Sequence, residues 1–197
     1  MPRNAHTHER RSSDLVELAA GLVAIDSVNP ELVPGGRGER EIAAFVAGWC
    51  ADHGLEVTLV GEDRPSVIAT RRGSGGGRSL LLNGHLDTVG VAGMEAPFEP
   101  RIEEGRLYGR GAYGVSRKPF EAGDHPFVQL VSRAAGADEL VGVPFWTDAA
   151  LIAAAGIPTV LYGPAGEGAH AIMECVDLAS LERVRDVVLQ AAVAWCR

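Results

Sequence analysis

Residues 78–85 read Arg-Ser-Leu-Leu-Leu-Asn-Gly-His, a short apolar run closed by a small polar turn. A strand with one face in water alternates apolar and polar residues; an unbroken apolar run suits an interior strand covered on both faces. "RSLLLNGH" is therefore predicted to be an interior, helix-covered strand. "IPTVLYG" (157–163) is a second run of this kind. Helical spacing surrounds both. Leu15, Leu18, Ala19 and Leu22 form one stripe, with Asp14 and Glu17 placed like a capping box. Ile42, Phe45, Val46, Trp49 and Cys50 form another, closed by Gly54. "HPFVQLVSRAAG" has Pro126 in its first turn, and "TDAALIAAAG" ends at Gly156. In the last helix Asp177 is the predicted N-cap, with Leu178, Leu181, Val184, Val188 and Trp195 on the buried side. "LEVTLVG" and "SVIATR" read as strands, and "FEPRIEEGRLYGRG" as a hairpin turning at Glu104-Gly105. Helices alternating with short apolar strands predict an α/β fold with a helix-covered, mostly parallel sheet.

The length of 197 residues suits one domain, 13–197, after a solvated, disordered arm at 1–12. His6 and His8 on that arm could take up a stray metal ion, or simply be solvated. The net charge of −8, from 18 basic and 26 acidic side chains, argues against nucleic acid and anionic membranes as partners. No apolar run reaches the ~20 residues of a membrane span, and the N-terminus lacks the apolar stretch of a secretory signal. Cys50, Cys175 and Cys196 are odd in number and without C-x-x-C spacing, which fits free thiols and a cytoplasmic location.

Three places could carry chemistry. His85 and Asp87 are two apart at a strand end, so on an extended chain they point the same way. A carboxylate there can hold one imidazole nitrogen and leave the other for a metal; the same pair also fits a histidine bonded to a neighbouring turn. His170 follows a glycine-rich loop after "PTVLYG", with Glu167 before it and Glu174 four residues on. Asp148 precedes a helix, where it is a candidate N-cap or a substrate-loop residue. "GRGAYG" (109–114) matches G-x-G-x-x-G by letters, but Pro119 follows and no helical stripe intervenes, so a dinucleotide site is not expected. "GSGGGR" lacks the lysine of a P-loop, and there is no G-x-S-x-G.

"LLLNGHLDTVG", "GRLYGRGA", "GVPFWTDAALIAAAGIPTVLYGPAGEGAHAIMECVDL" and "LAAGLVAIDSVNPE" together resemble the acetylornithine deacetylase, succinyl-diaminopimelate desuccinylase and aminoacylase family of zinc metallohydrolases. The resemblance implies a zinc-exopeptidase type of fold and two zinc ions bridged by an aspartate and a water. It implies His85 on one metal, His170 on the other, and Asp87 orienting His85. A glutamate would act as general base on N-acyl amino acids or short peptides, with cobalt able to replace zinc.

The chain departs from the pattern at one junction, near 113–120. Gly114 stands where the bridging aspartate is expected, and the Glu-Glu pair, a further carboxylate ligand and the inserted lid and dimerisation domain are missing. The text resumes near "SRKPFEAGDHPFV", as after a large internal deletion. The expectation is then a truncated catalytic-type domain with none or one zinc, a third ligand coming from Asp87, Glu167 or Glu174. It is either a metal-dependent amidohydrolase with a reduced site or a non-catalytic remnant on the same scaffold. Without its dimerisation domain it is expected to self-associate through an exposed sheet edge.

Overall fold

Alternating residues in 56–60 and 66–70 place β-branched and aliphatic side chains on a pleated surface, and the two segments pair as an antiparallel hairpin from Glu56↔Thr70 to Val60↔Ser66. This is a computed structural model, and it describes residues 4–110, 123–137, 139–142 and 147–197, with the backbone alone for 4–11. In chain order the elements are α1 (Asn4–Val23), α2 (Arg40–Asp52), β1 (Glu56–Val60), β2 (Ser66–Thr70), β3 (Arg101–Glu103), β4 (Arg106–Tyr108), α3 (Pro126–Ala135), α4 (Ala149–Ala154), β5 (Gly166–Glu167), β6 (Cys175–Asp177) and α5 (Leu178–Trp195). Among the described residues no helix is long and apolar enough to cross a membrane.

The chain divides into two units. The first comprises residues 1–72, 85–113 and 165–179. In it α2 lies on the β1–β2 hairpin, burying Ile42, Ala43 and Cys50. Gly54, at φ 76°, turns the chain out of α2 as the left-handed residue that ends a helix. A second sheet has the order β3-β4-β6-β5, every pair antiparallel. Its β3–β4 turn holds Glu104 at φ 48° and Gly105 at φ 74°, the two positive angles a tight two-residue hairpin turn needs. The second unit comprises 73–84, 114–164 and 180–197. Its core is Val131 of α3 with Val187 and Ala191 of α5, flanked by Phe127, Ala134, Ala135 and Val160. Pro126 opens α3, the His125 ring accepts the Phe127 N–H at 3.2 Å, and Gly136 closes the helix at φ 66°.

Several expectations are corrected. The chain is mixed α/β, but both sheets are antiparallel; the parallel contribution among the described residues is an isolated bridge, Val28↔Thr88. "RSLLLNGH" is neither a strand nor interior: Leu80 is half-buried, while Leu81 and Leu82 are 66% and 67% exposed. "IPTVLYG" likewise joins no sheet, and only Val160 of it packs on the core. An apolar run becomes an interior strand only when neighbours complete its hydrogen bonds on both edges, and among the described residues neither run pairs in a sheet. α1 begins at Asn4 and takes in residues assigned to the arm, so Asp14 and Glu17 lie inside the helix and cap nothing. On α2, Phe45 and Trp49 stay partly outside, Phe45 against Gly21 and Trp49 stacked on His53. On α5 the buried positions are Ser180, Val187 and Ala191; the expected Leu178, Leu181, Val184, Val188 and Trp195 are half-buried. The α5 residues that pack with Val131 of α3 are Val187 and Ala191.

Val187→Ala removes two buried methyl groups from that core and is expected to cost about 1.5–3 kcal/mol in urea unfolding, against about 0.5 kcal/mol or less for Val193→Ala on the exposed side of α5.

Candidate functional site

His85, Asp87, Glu167, His170 and Glu174 all belong to the first unit, while Asp148 belongs to the second. Asp148 occupies the N-cap position of α4, where its carbonyl accepts the amides of Leu151 at 2.9 Å and Ile152 at 3.1 Å.

The 85–88 segment is fixed by main-chain bonds to the loop after α1. The Thr88 N–H donates to Ser27 O at 2.9 Å, and the Asn29 N–H donates back to Thr88 O at 2.9 Å. Ser27, Val28, Asn29 and Thr88 are buried around this bridge. Asp87 is held between two partners. Its Oδ1 lies 3.2 Å from His85 Nδ1, and its Oδ2 accepts Asn29 Nδ2 at 2.8 Å. Arg64 stands behind it with Nη2 3.8 Å from Asp87 Oδ2, a charge contact too long for a hydrogen bond. The same guanidinium grips the buried Glu39 through Nε at 2.8 Å and Nη2 at 2.6 Å, and reaches Glu31 through Nη1 at 3.0 Å. Its hydrogen bond to Glu39 raises the Arg64 pKa above its ordinary value against an opposing effect of burial, with Glu31 adding to the rise. Arg64 is thus a fixed cation among three carboxylates.

His170 sits in a tight exposed loop at φ 65°, a left-handed angle that histidine adopts more readily than most residues. Gly168 opens the loop with φ 69°, and a side chain there would collide with Met173 O. Glu174 ends it, and its carboxylate accepts Arg110 Nη1 at 2.9 Å. Arg110, only 2% exposed, also directs Nη2 at Met94 Sδ (2.7 Å) and Ala171 O (3.1 Å). Ile172 reaches the Gly93 position, so the loop carrying His170 lies against the segment that follows His85. Glu167 pairs across the sheet with Arg106 in a two-pronged contact at 3.1 and 3.2 Å, and Glu167 is the main cause of the raised Arg106 pKa. That pair is exposed, so it adds little to stability.

A catalytic zinc takes three protein ligands and a water. Among the described residues no three His, Cys, Asp or Glu side chains form a group that could hold a metal ion. The His85–Asp87 pair has the arrangement of a metal-binding histidine, but the carboxylates nearest in sequence to His170 are engaged by Arg106 and Arg110. The described donor set does not fit a two-metal centre. Gly114, Glu121 and the junction itself lie outside the described residues.

The model of peptidase family M20/M25/M40 matches residues 81–116 and 113–194, more than half of the chain. The chain belongs to this family. It is a family of metal-dependent hydrolases, and the match comes in two stretches that meet at 113–116. An uncharacterised metallohydrolase of Methanocaldococcus jannaschii is 29% identical over 50% of this chain and 28% of its own length. A succinyl-diaminopimelate desuccinylase of Methylococcus capsulatus is 34% identical over 51% of this chain and 26% of its own. An N-formyl-4-amino-5-aminomethyl-2-methylpyrimidine deformylase of Halalkalibacterium halodurans is 30% identical over 52% of this chain and 25% of its own. Each alignment thus spans about a quarter of the relative's length.

Sequence reasoning passed over Asn29, Glu39, Arg64 and Arg110. Asn29 in "SVNPE" and Arg110 in "GRGA" stood inside quoted motifs, but nothing local distinguishes a buried arginine from a solvated one. Because Arg110 is nearly dry, Glu174→Ala is expected to cost about 3–5 kcal/mol in urea unfolding. Glu167→Ala, at the exposed pair, is expected to leave the midpoint unchanged.

Proposed function

We propose that this chain carries one wall of an amide-hydrolysing site of the N-acyl amino acid or short-peptide class, and that it turns such amides over weakly or not at all. The observation that carries the reading is the pairing of Glu174 with the buried Arg110. A carboxylate committed to a guanidinium serves poorly as a metal ligand or as a base. Family membership and the His85–Asp87 geometry support the lineage. The two-stretch family match supports an internal deletion at the junction near 113–120, within a single truncated domain that has lost the bridging aspartate and the Glu-Glu pair. Zinc, or cobalt in its place, has no tight position at His85 or His170. All three cysteines are free thiols, which supports a cytoplasmic location. The alternative, a remnant with an interaction role, draws support from the exposed apolar surface on the two-stranded hairpin, where Leu59, Val60 and Ile68 are each about half exposed.

A positioned general base is worth roughly 10²–10⁴ in rate. Hydrolysis of N-acetyl amino acids with added zinc or cobalt is therefore expected to be slow and equal in wild type, His85→Ala and His170→Ala. Chelator-sensitive turnover abolished by either substitution would overturn the reading. The hairpin should also make the chain self-associate as concentration rises. Light scattering is expected to show this, with Ile68→Lys reducing it, and a clean monomer at high concentration would count against it.

A further inference from the structure

We propose that His125 is an acid-sensitive cap: protonation of its ring strips the N-terminal cap from α3 and loosens the second unit. The inference stands apart from the proposed function, since His125 lies in the second unit and away from the His85 and His170 segments.

The start of α3 depends on this residue. Pro126 has no N–H, so the first donor the helix must satisfy is that of Phe127. His125 has extended angles, φ −63° and ψ 140°, and its carbonyl accepts the Gln129 N–H at 3.2 Å. Its Nδ1 accepts the Phe127 N–H at 3.2 Å. Helices are usually capped by the side-chain oxygens of Ser, Thr, Asp or Asn. The oxygens of Ser, Thr and Asn accept at every pH, whereas an imidazole nitrogen accepts only while it carries no hydrogen. In the charged ring both nitrogens are donors. Histidine is also the side-chain type that changes charge between about pH 5 and 8. Proton uptake at His125 therefore turns the cap into a donor facing a donor. It also puts a positive charge at the positive end of the helix.

The surroundings do not compensate. His125 is half-buried, with its ring against Trp195 of α5 at 5.9 Å between centroids and 67° between planes. An aromatic ring attracts a cation, but the Arg78 guanidinium already lies over the same indole, 4.6 Å from its centroid. The other charged or titratable groups on these elements are Cys196 and Arg197, whose backbone meets Gly77 beside Arg78, and Arg133 in the last turn of α3. Asp124, next to His125 in the chain, is exposed, so water screens its charge. Phe127 also packs its ring on Trp195 at 5.1 Å and flanks the core of Val131, Val187 and Ala191. Freeing its N–H thus loosens the contact between α3 and α5.

Hydrogen–deuterium exchange of the full chain at pH 8 and pH 5.5 tests this. Rates for the 126–135 amides are divided by those of the unstructured peptide, so that the direct effect of pH cancels. His125→Ser keeps an accepting oxygen at both pH values. On acidification, wild-type protection of α3 is expected to fall roughly fivefold relative to that of His125→Ser, the shift a typical lost cap produces. His125→Ala is expected to be low at both pH values, and α2 to respond alike in all three chains. Equal losses in wild type and His125→Ser would overturn the proposal. If the variants fail to fold, the wild type decides alone: the Phe127 N–H resonance is expected to move with the same midpoint as the His125 ring carbons. A Phe127 resonance that stays still, or a neutral His125 ring carrying its hydrogen on Nδ1, would overturn it.

Discussion

Arg110 is a guanidinium almost entirely out of water, and that single constraint organises the first unit. A buried charge is tolerated only with an opposite charge and further acceptors around it. Glu174, Met94 Sδ and Ala171 O supply them, and the Arg110 N–H donates to Pro97 O at 3.1 Å. Next to it the Gly109 N–H donates to Glu174 O, and Val23 of α1 packs so close that a side chain on Gly109 would not fit. The end of β4, the 94–97 segment and the loop carrying His170 are thereby tied together. Among the described residues the Arg110 Nε is a buried donor without a partner, an energetic cost the other contacts offset.

The same charge logic runs through the rest of the site. Arg64 neutralises part of the Glu31, Glu39 and Asp87 cluster, and Arg106 is paired with Glu167. In a two-metal hydrolase, carboxylates hold dications that repel one another strongly unless anions lie between them. Here the cations beside Asp87, Glu167 and Glu174 are arginine side chains, permanently part of the chain. What stays recognisable is the wall that needs only local geometry: a histidine and a carboxylate two residues apart, braced from behind.

Local chemistry was legible in the sequence, and long-range pairing was not. The hairpin at Glu104-Gly105, the helix from Pro126 to Ala135 and the end of α2 at Gly54 all follow from turn and cap residues acting within a few positions. The strand at 56–60 follows from alternation, and its partner at 66–70 also reads as a strand. "RSLLLNGH" failed because an interior strand is a property of its neighbours, which the run itself cannot specify. The stripe on α5 failed more mildly: periodicity marks an apolar side of a helix, but the positions that pack with Val131 are Val187 and Ala191. In the site, His85 and Asp87 could be paired by counting two residues. Asn29 and Arg64 reach Asp87 across 58 and 23 residues, separations at which residue type alone predicts no contact.

On the proposed reading, arginines rather than a metal ion satisfy the carboxylates of this site. A ligand that binds only the folded state stabilises it by RT ln(1 + [L]/Kd), about 2.7 kcal/mol at one hundred times Kd. The direct measurement is urea unfolding of the full chain in a chelator and in a graded excess of zinc. The account predicts coincident curves. A midpoint that rises with zinc in the wild type, and does not rise in His85→Ala or His170→Ala, would contradict it.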